Sequence, residues 1–200
     1  MRRRLISSFT ATITAALFAY GCGNENVTAP SSEPVAAPAA SSQVLLGSLL
    51  GKTTTVTPLL RTTPLKSAVS TSATIGPLGG VLALPSAGLT VVVPPLAVNS
   101  PTKMSVTALA GSSVAYEFEP HGIKFPVPLV ATQSLKGTQA QNGGLIDPLS
   151  LFAGYFPDSK RITSVSELLN LNVNVLGQTS VLTIWHFSGY IIATGRSAEE

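Results

Sequence analysis

The side chains able to do chemistry fall in a few places along the chain. Cys22 is the only cysteine, so its thiol has no partner for an intramolecular disulfide. Glu117, Glu119 and His121 follow one another at spacings of two. On a regular strand they share one face, where two carboxylates and an imidazole can bind a metal or move a proton. The plainer reading is a solvated strand face ending in a turn at Pro120-His121-Gly122, and no metal site is assigned. His186-Phe187-Ser188 sets an imidazole two residues from a hydroxyl, with no acidic residue nearby in sequence to orient the ring. Trp185, Tyr155 and Phe156 are the aromatics able to form a sugar-binding platform, and core packing is the competing reading. Asp147 and Asp158 both neighbour proline, as turn residues do. No phosphate-binding loop, zinc-ligand spacing or nucleophile elbow occurs, and no cofactor is expected.

The cysteine is explained by what precedes it. Arg2, Arg3 and Arg4 form a positive flank, and Leu5 to Tyr20 is uncharged and mostly apolar. Ala19, Gly21 and Gly23 surround Cys22. Positive flank, apolar run and small-residue cleavage site are the three parts of a signal peptide. The run is about 16 residues, short of the roughly 20 that span a bilayer. Ala19-Tyr20-Gly21-Cys22 resembles the lipobox of bacterial lipoproteins, with Gly21 and Cys22 in place and with Ala19 and Tyr20 standing where the usual pattern has Leu and a small residue. The resemblance implies that the Cys22 thiol is acylated and that Cys22 becomes the new N-terminus. Several acyl chains on one residue, each buried CH₂ contributing about 0.8 kcal/mol, hold a protein stably on a membrane. An ordinary signal peptide with an incidental cysteine is the competing reading.

Charge narrows the partners. The chain has 12 Lys+Arg against 9 Asp+Glu, but three of the arginines precede the cleavage site. After Cys22 nine basic residues face nine acidic ones. A near-neutral mature chain does not suggest nucleic acid as a partner, nor a polybasic membrane contact. Charged residues make up 10% of the chain, while Gly, Pro, Ser, Thr and Val abound, a composition that fits a β-rich exported domain.

The elements that must position these groups read as follows. Gly23 to Ser42 is rich in Ala, Pro and Ser, lacks aromatics, and cannot bury enough surface to offset its chain entropy. It reads as a spacer. Gln43 to Leu50 suggests a short helix, and Lys52 to Ser70 is ambiguous. From Ala73 onward strands are expected at Val81–Leu84, Leu89–Val93, Thr102–Ala110, Val114–Glu119, Leu129–Leu135, Leu151–Phe156, Leu171–Leu176, Val181–Phe187 and Gly189–Thr194. Met104, Val106, Ala108 and Ala110 alternate with Lys103, Ser105 and Thr107; Val114, Tyr116 and Phe118 alternate with Glu117 and Glu119. Ser164 to Asn170 reads as a helical turn. Many short strands split by Gly, Pro and Asn argue a β-sandwich.

Two stretches carry a family resemblance. The first is Ile75-Gly76-Pro77-Leu78-Gly79-Gly80-Val81-Leu82 followed by Gly88-Leu89-Thr90-Val91-Val92-Val93-Pro94-Pro95-Leu96-Ala97-Val98. The second runs from Tyr116 to Leu129, with Pro120, Gly122, Phe125 and Pro128 at its marked positions. Together they resemble the ZU-five domain, a module of ankyrins, netrin receptors and bacterial surface proteins. Leu96 stands where that family has Gly. The resemblance implies a β-sandwich and is silent on function. In some ZU-five proteins a His-Phe-Ser at the last strands is an autoproteolysis site. It therefore implies for this chain that Ser188 Oγ attacks the Phe187 carbonyl, with His186 as general base. A strand corner with Phe187 in the core is the alternative.

The expected organisation is thus a signal peptide at 1–21, a lipidated Cys22 with a disordered Ala/Pro/Ser/Thr-rich linker at 22–72, and an all-β, ZU-five-like sandwich at 73–200. The expected role is that of an exported, lipid-anchored protein of the cell membrane or outer membrane. Its sandwich serves as a non-enzymatic structural or interaction module, meeting the membrane through the anchor and a protein or glycan through its surface. Single-turnover self-cleavage at Phe187-Ser188 and carbohydrate binding are the two alternatives.

Overall fold

A computed structural model describes residues 53–197. Cys22, the signal peptide, the spacer and the expected helix at 43–50 lie outside the described residues. Along the rest the chain forms fifteen strands: β1 Thr54–Pro58, β2 Leu60–Leu65, β3 Val69–Ile75, β4 Gly80–Leu84, β5 Leu89–Val93, β6 Thr102–Ala108, β7 Gly111–Ser113, β8 Ala115–Glu119, β9 Lys124–Ser134, β10 Phe152–Phe156, β11 Ser164–Val165, β12 Glu167–Asn170, β13 Asn172–Asn174, β14 Thr179–His186 and β15 Gly189–Ser197. Short 3-10 turns at Pro85–Ala87, Pro148–Ser150 and Ser159–Arg161 punctuate them. Asp147 and Asp158 cap the last two of these turns by accepting from the backbone N–H of Leu149 and Lys160, each at 2.9 Å. The Lys160 amide, with the nearby Arg161, also holds the Asp158 carboxyl below the usual range.

The strands form an all-β fold of several antiparallel sheets. The first runs β11-β1-β15-β8-β6-β3, with β10 joined to β15 and β12 to β10. The second runs β13-β14-β9-β5-β4, and β2 pairs with β7 alone. Alternation decides which side chains meet. Leu82, Val91, Leu129 and Ile184 from the second sheet join Met104, Val106, Tyr116, Phe118 and Tyr190 from the first in one buried cluster. A smaller cluster of Val56, Ala115, Phe156, Val165, Ile191 and Ala193 covers the other face of the first sheet. This second cluster explains why Tyr190-Ile191-Ile192-Ala193 is continuously apolar, because β15 is buried on both faces.

Three expectations are corrected. The folded part begins well before residue 73: β1 and β2 occupy the stretch read as linker, and Val56 and Leu59 are core residues. Thr-rich segments without alternation conceal strands when only one or two positions are buried, as here. Ser164 to Asn170 is not a helical turn but β11 and β12; Leu168 and Leu169 pair with Gly154 and Ala153 of β10, and that pairing overrides a local helical preference. The strand expected from Leu129 starts at Lys124 and contains Pro126 and Pro128. Both prolines sit where the β14 pairing shifts register, between Ile184 and His186, and ahead of the first β5 pair at Val130. No ladder hydrogen bond is lost there.

Leu96 lies in the loop after β5 with φ at 65° and 65% of its surface exposed. Its N–H donates to Pro77 O at 2.8 Å, so the left-handed turn is held in place from outside. A side chain there is disfavoured by about 1–2 kcal/mol, whereas glycine tolerates it at an entropic cost of about half that. Leu96→Gly should therefore raise stability by about 0.5–1 kcal/mol, read as a higher urea midpoint at unchanged slope.

Candidate functional site

The His186-Phe187-Ser188 stretch is the corner at which the chain leaves β14 in the second sheet and enters β15 in the first. The turn between β8 and β9 grips this corner. Phe187 N–H donates to Ile123 O at 2.9 Å, and Phe187 O accepts from Gly122 N–H at 3.0 Å. One step on, Ser188 O accepts from Phe118 N–H at 3.0 Å. Gly122 has φ of +82°, a conformation that glycine adopts without penalty, and this turn aims its N–H at the Phe187 carbonyl. The Pro-x-Gly stretch noted in the sequence is thus the clamp on the candidate scissile peptide.

Phe187 is 1% exposed. Its ring lies 4.9 Å from Phe125, edge to face, and 5.3 Å from Phe118. Ser188 is also buried. The imidazole of His186 points elsewhere. It stands edge-on to Tyr155, centroids 5.2 Å apart, and 5.9 Å from the ring of Tyr190. Tyr190 OH donates to His186 O at 2.6 Å and stands 3.5 Å from His186 Nδ1. The shorter contact takes the single hydroxyl proton. His186 Nε2 faces Glu167 Oε2 at 4.0 Å. Both partners are partly exposed, so the pair adds little stability, but it supplies the carboxylate that the local sequence lacks. Neither ring nitrogen bonds Ser188 Oγ.

Burial raises the pKa of the Tyr190 phenol, and the charge of Glu167 and the neighbouring Tyr155 add to the effect. The cluster Glu167, His186, Tyr190 and Tyr155 is one that sequence reasoning missed. Its members come from β10, β12, β14 and β15, and only the i, i+4 pair His186 and Tyr190 is local. Chemically the corner offers a buried hydroxyl beside a carbonyl that already accepts an N–H, and an imidazole backed by a carboxylate.

The other candidates separate. Glu117 and Glu119 sit on β8, and His121 lies beyond its end in the turn, exposed. Among the described residues no three His, Cys, Asp or Glu side chains come together to hold a metal ion. The aromatic trio does not form a platform: Phe156 is 1% exposed in the smaller cluster, Tyr155 packs on His186 and Tyr190, and Trp185 alone stands out, 56% exposed on the outer side of β14. A side chain at Gly189 would collide with the Phe156 ring, which is why the corner is followed by glycine. Among the described residues no helix is long and apolar enough to cross a membrane. No family model matches the chain, and no curated protein matches it.

Proposed function

We propose that the chain is a lipid-anchored cell-envelope protein. Its all-β part is a ZU-five-like sandwich acting as a structural or interaction module. The observation that supports the module reading is the shared core: side chains of two antiparallel sheets bury one another, leaving strand edges, outer faces and loops as the surface on which partners meet. The anchor reading rests on Arg2-Arg3-Arg4, the apolar run and Cys22. A tether followed by an Ala/Pro/Ser spacer holds the rigid unit off the bilayer.

A specific contact favours a second reading, cleavage of the Phe187-Ser188 bond. In that step His186 first turns from Tyr155 and Glu167, where its ring now rests, then Ser188 Oγ adds to the Phe187 carbonyl carbon and its proton passes to the imidazole. Gly122 N–H, 3.0 Å from the carbonyl oxygen, stabilises the oxyanion. The C–N bond then breaks, His186 returns the proton to the Ser188 amine, and water hydrolyses the ester to a Phe187 carboxylate.

One measurement tests both readings: the intact mass of the full chain purified from membranes under denaturing conditions. The anchor predicts a chain that begins at Cys22 and carries acyl mass; an unacylated chain sinks it. Cleavage predicts a separate Ser188–Glu200 peptide, and a single species running through to Glu200 removes that reading without touching the first.

A further inference from the structure

Both sheets end on the flank where β3 passes into β4. β3 is the last strand of the first sheet and β4 the last of the second, and the Gly76 to Gly79 bridge closes the turn between them. Among the described residues, β4 pairs only with β5, so half of its backbone N–H and C=O groups point out of the sheet without a ladder partner. Natural proteins shield such an edge with charge, proline, a bulge or a covering loop, or keep it very short; β4, at five residues, has only its length. β4 reads Gly-Val-Leu-Ala-Leu, its pairing with β5 runs in regular register from Gly80↔Val93 to Leu84↔Leu89, and no ionisable side chain occurs from Ser67 through Thr102.

The outer face beside this edge is apolar as well. Val81 pairs with Val92, and Val92 with Val130, forming a row across three strands whose members are 55%, 42% and 38% exposed. Three exposed valines in register on a bare edge are the pattern that adds a further strand. The occupant must be extended, to satisfy the backbone groups, and uncharged, to lie against this row.

We propose that the occupant is a second copy of the chain, paired β4 to β4 in antiparallel fashion about a two-fold axis at Leu82. Antiparallel pairing about that residue sets Leu82 against its counterpart, Val81 against Ala83 and Gly80 against Leu84. Apolar meets apolar at every position, and with no charge on either edge nothing repels. The outer row then continues from Val130, Val92 and Val81 onto Ala83 of the second copy. Two-fold pairing uses each β4 edge once, so the assembly closes at a dimer instead of growing into a fibre.

The test is the mass of the full chain by sedimentation in density-matched detergent, beside the Val81→Lys variant. The expected result is twice the chain mass for the wild type and a single chain for Val81→Lys. Because Val81 is more than half exposed, the variant should still fold and unfold in one cooperative transition, below the wild type only by what the dimer contact adds. Register is checked in cells making Val81→Cys and Ala83→Cys chains together, with the wild type as the control for Cys22, where oxidation should give a cross-linked dimer that neither variant gives alone. A wild type of single-chain mass overturns the proposal, as it would if the chain's own preceding residues or another protein's strand covered β4. Val81→Lys at twice the chain mass, or cross-linking by either cysteine variant alone, overturns it too.

Discussion

Phe187→Ala should be the most damaging single substitution at the strand corner, costing about 3–5 kcal/mol. The ring is 1% exposed and fills the space between Phe118 and Phe125. Truncation removes the apolar surface and leaves a cavity that the clamped backbone cannot collapse to fill. The clamp itself survives, since the bonds to Gly122 and Ile123 are made by the backbone of residue 187. For a domain of this size the melting temperature should fall by about 10 °C or more. Trp185→Ala is the contrast. It removes a larger side chain one strand position from this corner, yet Trp185 is 56% exposed, and its loss should change stability by no more than about 0.5 kcal/mol. Equal losses from the two variants would show that the corner is not packed as described.

That contrast marks how far the sequence could be read. Strands with one buried face declared themselves: Met104, Val106 and Ala108 alternate with polar residues and are buried in β6, while Ala110, expected on the same face, lies past the strand's end and is exposed. Where burial does not alternate, the pattern is silent. β1 and β2 hide in a Thr- and Pro-rich stretch because they contribute only Val56 and the buried Arg61 to the inside, with Leu59 between them. Arg61 could not have been read as interior at all. Its guanidinium bonds Ser113 O and, at 3.3 Å, Tyr116 OH, and lies 5.6 Å from the centre of the Tyr116 ring. Those partners are about fifty residues away and become neighbours only when the sheets assemble. The site divides the same way. His186-Phe187-Ser188 is contiguous and therefore visible. The Gly122 N–H that meets the Phe187 carbonyl and the Glu167 carboxylate that faces His186 are brought in by other strands. Trp185 and Phe156, alike as aromatics in sequence, differ by which side of their strand faces the core.

Stability should fall steeply above about pH 10, and two buried phenols should account for most of the slope. Tyr116 and Tyr190 are 4% and 3% exposed. Burial raises the pKa of both; for Tyr116 it outweighs the opposing pull of the Arg61 charge and of the bonds to Arg61 and Gln133. In the unfolded chain both ionise near their ordinary value of about 10. Below that pH the two states hold the same protons, and these groups leave stability unchanged. Above it the unfolded chain releases protons that the folded chain keeps. Each tyrosine then removes about 1.4 kcal/mol per pH unit until its own folded pKa is passed, and the pair about twice that. Against a total of about 5–15 kcal/mol, such a slope unfolds the domain within a few pH units. Urea midpoints followed upward from neutral pH should stay level and then drop. Tyr190→Phe removes the hydroxyl that donates to His186 O, so it should start about 1 kcal/mol less stable. Above pH 10 it should lose stability at about half the wild-type rate, so that the two curves converge. Parallel curves would show that Tyr190 ionises as readily in the folded chain as in the unfolded one, against its place beneath Phe118, Tyr155 and His186.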